Sequence, residues 1–82
     1  MRVRLLFFAR ARELAGVGET EVEVASHATA AVVLKQVLET WPALEEVSGR
    51  CVLAVNQEYL EDMARILKEG DEVAVLPPVS GG

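Results

Sequence analysis

Glu69-Gly70-Asp71-Glu72-Val73-Ala74-Val75-Leu76-Pro77-Pro78-Val79-Ser80-Gly81-Gly82 holds a turn, a strand and a segment that cannot be helix. Gly70 between two acidic residues is the turn signal, because glycine adopts backbone torsions that other residues resist. Glu72–Leu76 then reads as a strand. With Val73 and Val75 pointing inward, Glu72, Ala74 and Leu76 point outward, since successive side chains on a strand face opposite ways. Pro77 and Pro78 fix φ and favour an extended, polyproline-like exit. The domain is therefore expected to span residues 1–76, and residues 77–82 (Pro77, Pro78, Val79, Ser80, Gly81, Gly82) to form an extended, flexible tail. Glycine without a Cβ can thread a narrow channel, so a diglycine end reads as a device for delivering a carboxylate into another protein's active site. At about 3.3 Å per residue such a tail reaches about 20 Å.

Working outward, the other elements supply a sheet and its cover. Val3, Leu5 and Phe7 alternate with Arg2, Arg4, Leu6 and Phe8, which is the period of a strand whose core face is Val3, Leu5 and Phe7. A short helix over Ala9–Ala15 stops at Gly16, and Gly18 marks a second turn before a half-exposed strand at Thr20–Val24. Thr29 is a suitable N-cap for a main helix over Ala30–Trp41, whose Val33, Leu34, Val37, Leu38 and Trp41 form one stripe before Pro42 ends the run. Cys51–Val55 is continuously apolar between Gly49 and Asn56 and reads as a buried strand. The expected fold is α+β, a sheet covered on one face by one main helix. Leu6 and Phe8 on the first strand and Leu76 on the last then share the uncovered face, a docking patch at the root of the tail. Tyr59 joins Phe8 and Leu76 as an expected partner-binding residue.

Composition narrows the function classes. The chain has 82 residues, enough for one small core and too few for a core plus a full enzyme pocket. Its net charge of −5 argues against a nucleic-acid backbone as partner and points to basic protein surfaces. No apolar run approaches the ~20 residues of a membrane span and no signal peptide is visible, so a soluble, cytoplasmic protein without a membrane partner is expected. A single cysteine, Cys51, excludes an internal disulfide and a thiolate metal cluster, and no metal site is expected.

Two stretches carry a family resemblance. Leu6-Phe7-Phe8-Ala9-Arg10-Ala11-Arg12-Glu13-Leu14-Ala15-Gly16 resembles the opening of MoaD-type proteins, the small subunits of molybdopterin synthase. Val55-Asn56-Gln57 and the closing stretch Glu69–Gly82 resemble that family's third-strand end, terminal strand and tail. The resemblance implies a ubiquitin-like β-grasp with a mixed sheet. It also implies a sulfur carrier: an ATP-dependent adenylyltransferase activates Gly82 as an acyl-adenylate, and sulfur transfer leaves a C-terminal thiocarboxylate. That sulfur goes to a cyclic pterin precursor in the catalytic large subunit, the partner in a hetero-oligomer, while this chain is itself non-catalytic. No tightly bound cofactor is implied, because ATP is consumed by the activating partner. Carriers for thiamine or tRNA thiolation, and ubiquitin-like protein modifiers, share the diglycine end. The segment Ala9–Gly16 favours the molybdopterin type, being longer than its counterpart in thiamine carriers.

Other polar residues read as ordinary surface or core. Cys51 in its apolar strand is expected to be a small core residue rather than a nucleophile. His27 has no second histidine to share a metal with and is expected to be solvated. Glu45-Glu46 and Glu61-Asp62 are adjacent pairs in expected loops, unsuited to acid/base work. Gly16-Val17-Gly18 lacks the lysine of a phosphate loop. Arg2, Arg4, Arg10 and Arg12 could meet an acidic partner, with local ion pairs the stronger expectation.

Overall fold

The strands follow from alternation. The computed structural model describes residues 1–77, so the expectations for Pro78, Val79, Ser80, Gly81 and Gly82 lie outside the described residues. Strand β1 (Arg2–Phe7) buries Val3, Leu5 and Phe7 and exposes Arg2 and Arg4. It pairs antiparallel with β2 (Glu19–Glu23) on one side and parallel with β5 (Glu72–Leu76) on the other. Strand β3 (Val52–Val55) runs antiparallel to β5, and the two-residue β4 (Glu58–Tyr59) completes the sheet. The order is β2-β1-β5-β3-β4, a mixed five-stranded sheet with the last strand of the chain at its centre.

One face of this sheet is covered by helix α2 (Ala30–Thr40). Thr29 caps it, its Oγ1 accepting the Val32 N–H at 3.2 Å. The next orphan donors, the N–H groups of Ala30 and Ala31, reach the carbonyls of Arg65 and Met63 in the β4–β5 connection. Val33 and Val37 are buried, and Leu34, Leu38 and Trp41 pack against the same core as Val3, Leu5, Phe7, Leu53, Val55, Val73 and Val75. Trp41 meets Phe7 edge-on, with ring centroids 5.2 Å apart. The shorter helix α1 (Ala9–Ala15) ends on Gly16, whose φ of 78° is the left-handed cap that lets its N–H bond the Arg12 carbonyl.

Five expectations need correction. The second strand runs Glu19–Glu23, one residue before the expected Thr20–Val24. Strand β1 ends at Phe7, and Phe8 is the extended N-cap of α1, followed by Ala9 with φ 50°. The third strand begins at Val52, not Cys51; Leu53, Ala54 and Val55 are buried as expected, but Val52 at its start is 44% exposed. The main helix stops at Thr40 with Trp41 as its C-cap. Pro42 does not simply end structure but starts a 3-10 turn (Pro42–Leu44), followed by the one-turn helix α3 (Glu45–Ser48). Glu45 and Glu46 therefore lie on a helix, not in a loop. Proline is tolerated at a first helical position because its missing N–H would be unpaired there anyway.

Candidate docking face

The uncovered face of the sheet is shaped by register. Leu6 pairs with Ala74, Ala74 with Ala54 and Ala54 with Tyr59, so one row across four strands reads large, small, small, large. A row of that profile is a groove. Ala54 and Ala74 are buried by their larger neighbours yet belong to the outer face, apart from the main core cluster. The depression has a volume of about 390 Å³, with Phe8 and Leu76 at one end and Glu72 and Gln57 at the other. Phe8 is 46% exposed and Tyr59 75% exposed, unusual for side chains of that size.

The parallel pairing of β1 and β5 sets where this groove lies. Because Phe7 is in register with Val75, both strands finish at the same end of the sheet, and the Phe8 N–H bonds the Val75 carbonyl at 3.4 Å. Phe8, Leu76 and the chain's onward path at Pro77 consequently meet. The residues expected at an interface, Phe8, Tyr59 and Leu76, are brought to one surface, and Pro77 continues from its rim.

The far wall is held by a polar clamp. Asn56 and Gln57 form the two-residue turn between β3 and β4 with φ 51° and 71°. Both central residues of such a tight hairpin take positive φ, a geometry asparagine tolerates and glycine prefers. Asn56 Nδ2 donates to Asp71 Oδ1 at 2.9 Å, and Asn56 Oδ1 accepts the Glu72 N–H at 3.0 Å. Asp71 Oδ2 accepts the Lys68 N–H at 2.8 Å. Partial burial pushes the Asp71 carboxyl up, but the Asn56 and Lys68 hydrogen bonds, with the nearby Arg65 and Lys68 charges, outweigh it and hold it below its ordinary range. The clamp fastens the hairpin that carries Tyr59 to the root of β5.

The remaining charges are mostly paired on the surface. Arg2 Nε donates to Glu23 at 2.9 Å, Arg10 Nε donates to Glu46 at 2.7 Å, and Arg4 bonds Glu19. Hydrogen bonding to those partners raises Arg2 and Arg10 and lowers Glu23 and Glu46. Local ion pairing thus accounts for three of the four N-terminal arginines. Arg12 instead packs over Gly18, where a Cβ would stand 3.1 Å from its guanidinium carbon. Burial pushes the Cys51 thiol above its ordinary range, and the adjacent Arg50, a basic neighbour the sequence reading left out, pulls it back only in part. That is the character of a packed thiol, not an activated nucleophile. His27 is exposed at φ 65°. Among the described residues no three His, Cys, Asp or Glu side chains gather in a way that could hold a metal ion, and no helix is long and apolar enough to cross a membrane.

Sequence reasoning found the large outward residues and placed Ala74 outward, but missed Ala54, the groove that the two alanines floor, and the clamp. Small residues make a groove only through their cross-strand neighbours, which are unknown until strand order is known. Asn56 carried a usable signal, since asparagine between two apolar runs marks a tight turn.

Comparison with known proteins agrees with this architecture. The model of the ThiS family matches residues 5–82. A protein of Chlamydomonas reinhardtii described as molybdopterin synthase sulfur carrier subunit is 45% identical over 83 residues, with all of both chains covered. Among solved structures, SAMP1 (small archaeal modifier protein 1) from Haloferax volcanii superposes with a TM-score of 0.89 at 31% identity, covering 100% of each chain. A complex of subunits 1 and 2 of molybdopterin-converting factor from Helicobacter pylori contains a chain that superposes with a TM-score of 0.73 at 28% identity, again covering 100% of each. A mixed sheet gripping one main helix, an open face with a groove at the end of its central strand, and a family match running from β1 to residue 82 agree: this chain is a ubiquitin-like β-grasp protein of the MoaD type and belongs to the ThiS family.

Proposed function

We propose that the chain is a sulfur carrier that docks through its open sheet face while its C-terminus enters the partner's active site. The observation that carries this reading is the groove of outward apolar side chains, Leu6, Phe8 and Leu76, at the end of the sheet from which Pro77 departs. Gly82 is the acceptor. A free carboxylate resists substitution because it would have to expel oxide. An activating adenylyltransferase therefore converts the Gly82 carboxylate and ATP to an acyl-adenylate and pyrophosphate. Hydrosulfide attacks the carbonyl and gives up its proton, AMP leaves, and a thiocarboxylate remains.

Its user is the catalytic large subunit of a molybdopterin synthase, where the thiocarboxylate donates sulfur to a cyclic pterin precursor; the acids and bases of that step belong to the large subunit. Similarity to the Chlamydomonas reinhardtii carrier subunit and to a chain of the Helicobacter pylori complex supports this choice. Ordering residues 77–82 costs roughly 1–2 kcal/mol per residue. Pro77 and Pro78 reduce that cost by fixing φ, and the groove supplies docking energy to offset the rest. Similarity to the Haloferax volcanii modifier favours a second reading, attachment of the same activated terminus to lysines of other proteins.

Intact mass distinguishes the two. The chain is incubated with the activating enzyme, ATP and a sulfide source, then with cell extract. Replacement of one terminal oxygen by sulfur, abolished by deleting Gly82 or extending beyond it, supports the carrier. Attachment to larger proteins without thiocarboxylate supports the modifier, and normal sulfur loading of the deletion variant overturns Gly82 as acceptor.

A further inference from the structure

At the polar end of the groove stands Glu72, outward on the central strand and in register with Arg4. Its side chain is 21% exposed, and its nearest cation, Arg4 Nη1, is 4.0 Å away. Arg4 is already committed elsewhere: its other terminal nitrogen bonds Glu19, and Glu21 lies opposite it in the β1–β2 register. Arg2 is likewise taken by Glu23 at 2.9 Å. The outer face of β2, β1 and β5 thus sets the carboxylates of Glu19, Glu21, Glu23 and Glu72 against the guanidinium groups of Arg2 and Arg4, with the N-terminal ammonium 3.6 Å from Glu23 as one further cation. It carries an excess of negative charge beside an apolar groove.

We infer that the partner covering the groove presents a Lys or Arg side chain to Glu72, making this residue a determinant of partner recognition. The inference rests on the docking reading above and specifies the chemistry of the docked surface. A partner that fills the apolar groove removes water from the carboxylate lining it. An ion stripped of water without full compensation opposes association strongly, and Arg4, 4.0 Å away and shared with Glu19 and Glu21, offsets only part of that cost. A cation from the partner turns the same carboxylate into an attractive and orienting contact, because charged contacts across an interface fix register and reject partners with the wrong sign. Glu61 and Asp62, in the connection after Tyr59, outnumber Arg65 beside them, leave that edge negative and favour the same sign of partner.

The test measures affinity of the full chain for the purified large subunit of molybdopterin synthase at low and high salt. Wild type is compared with Glu72→Gln, with Phe8→Glu and with Glu39→Gln, which removes an equal charge from the exposed side of α2. Thermal unfolding checks that each variant is folded. Glu72→Gln is expected to weaken binding at least tenfold and to flatten the salt dependence, with Glu39→Gln changing affinity less than about twofold. If Glu72→Gln binds as well as wild type or better while Phe8→Glu fails to bind, the groove is the interface and the cation facing Glu72 does not exist. If Phe8→Glu binds normally, the docking reading falls and this inference falls with it.

Discussion

The two faces of the same five strands have opposite economies. On the inner face Val3, Leu5, Phe7, Val73 and Val75 are almost fully buried by α2 and the connections that cap it. On the outer face Leu6, Ala54, Ala74 and Leu76 occupy the alternate positions of the same strands, and no helix among the described residues covers them. Stability is concentrated on one face and the proposed docking on the other, and alternation with period two lets one residue step separate them. The comparison predicts that neighbouring residues fail differently when mutated.

Phe7→Ala should give the largest effect. Phe7 is 1% exposed and packs edge-on against Trp41, so its loss removes buried area and leaves a cavity. Destabilisation of about 3–5 kcal/mol is expected, a large part of the stability of a domain this small. Denaturant titration measures it. A loss below about 1 kcal/mol would mean that the inner face is not where the fold is held.

One residue further on, Phe8→Glu should reverse the pattern. Its side chain is exposed, so folding stability should shift by no more than about 0.5 kcal/mol. Docking should weaken at least tenfold, because a carboxylate would be carried into an apolar interface. Leu76→Glu, at a half-buried position on the same groove, should act in the same direction with a somewhat larger stability loss. Paired unfolding and binding measurements on these variants break the comparison if either one unfolds, because its side chain then belongs to the core, or if binding is unchanged.

The faces were unequally legible in the sequence. The inner face could be read directly, since Val3, Leu5, Phe7, Val73 and Val75 stand at alternate positions and Val33 and Val37 at helical spacing. The outer face was legible only where a large side chain was out of place, as at Phe8, Tyr59 and Leu76. Ala74 reads as outward, but that it and Ala54 form a groove floor was not legible, because an alanine in a strand says nothing of a groove until its cross-strand neighbours are known. Helix α3 was hidden behind Pro42, which ends one helix and opens the next turn. The parallel β1–β5 pairing, which puts the groove at the root of residue 77, joins segments from opposite ends of the chain that no local pattern links.

The clamp between the hairpin and β5 offers a smaller test. Asp71→Asn exchanges a carboxylate held by Asn56 and Lys68 for an amide that must turn a donor toward one of those donors. A loss on the order of 1 kcal/mol at neutral pH is expected. The native carboxyl lies below its ordinary value, so the stability it contributes is fully present above about pH 4 and is lost as pH falls through the folded-state value. Thermal unfolding followed from neutral pH downward should show a steeper acid decline in wild type than in Asp71→Asn. Identical declines would remove Asp71 from the clamp.

The smallest expected effect is at Gln57, where the outer face tolerates a strained residue. Its φ of 71° costs a residue with a Cβ about 1–2 kcal/mol relative to glycine. Glycine in turn gives up about 0.5–1 kcal/mol through the greater freedom of the unfolded chain. Gln57→Gly should therefore stabilise the fold by about 0.5 kcal/mol, provided that Asn56 keeps its bonds to Asp71 and Glu72. Gln57 also lines the groove, so the same change should weaken docking by a few-fold even as stability rises. Denaturant midpoints and partner affinity measured on one preparation would give changes of opposite sign. If both rise, the glutamine side chain has no part in recognition, and the strain at the hairpin has to be explained by the turn alone.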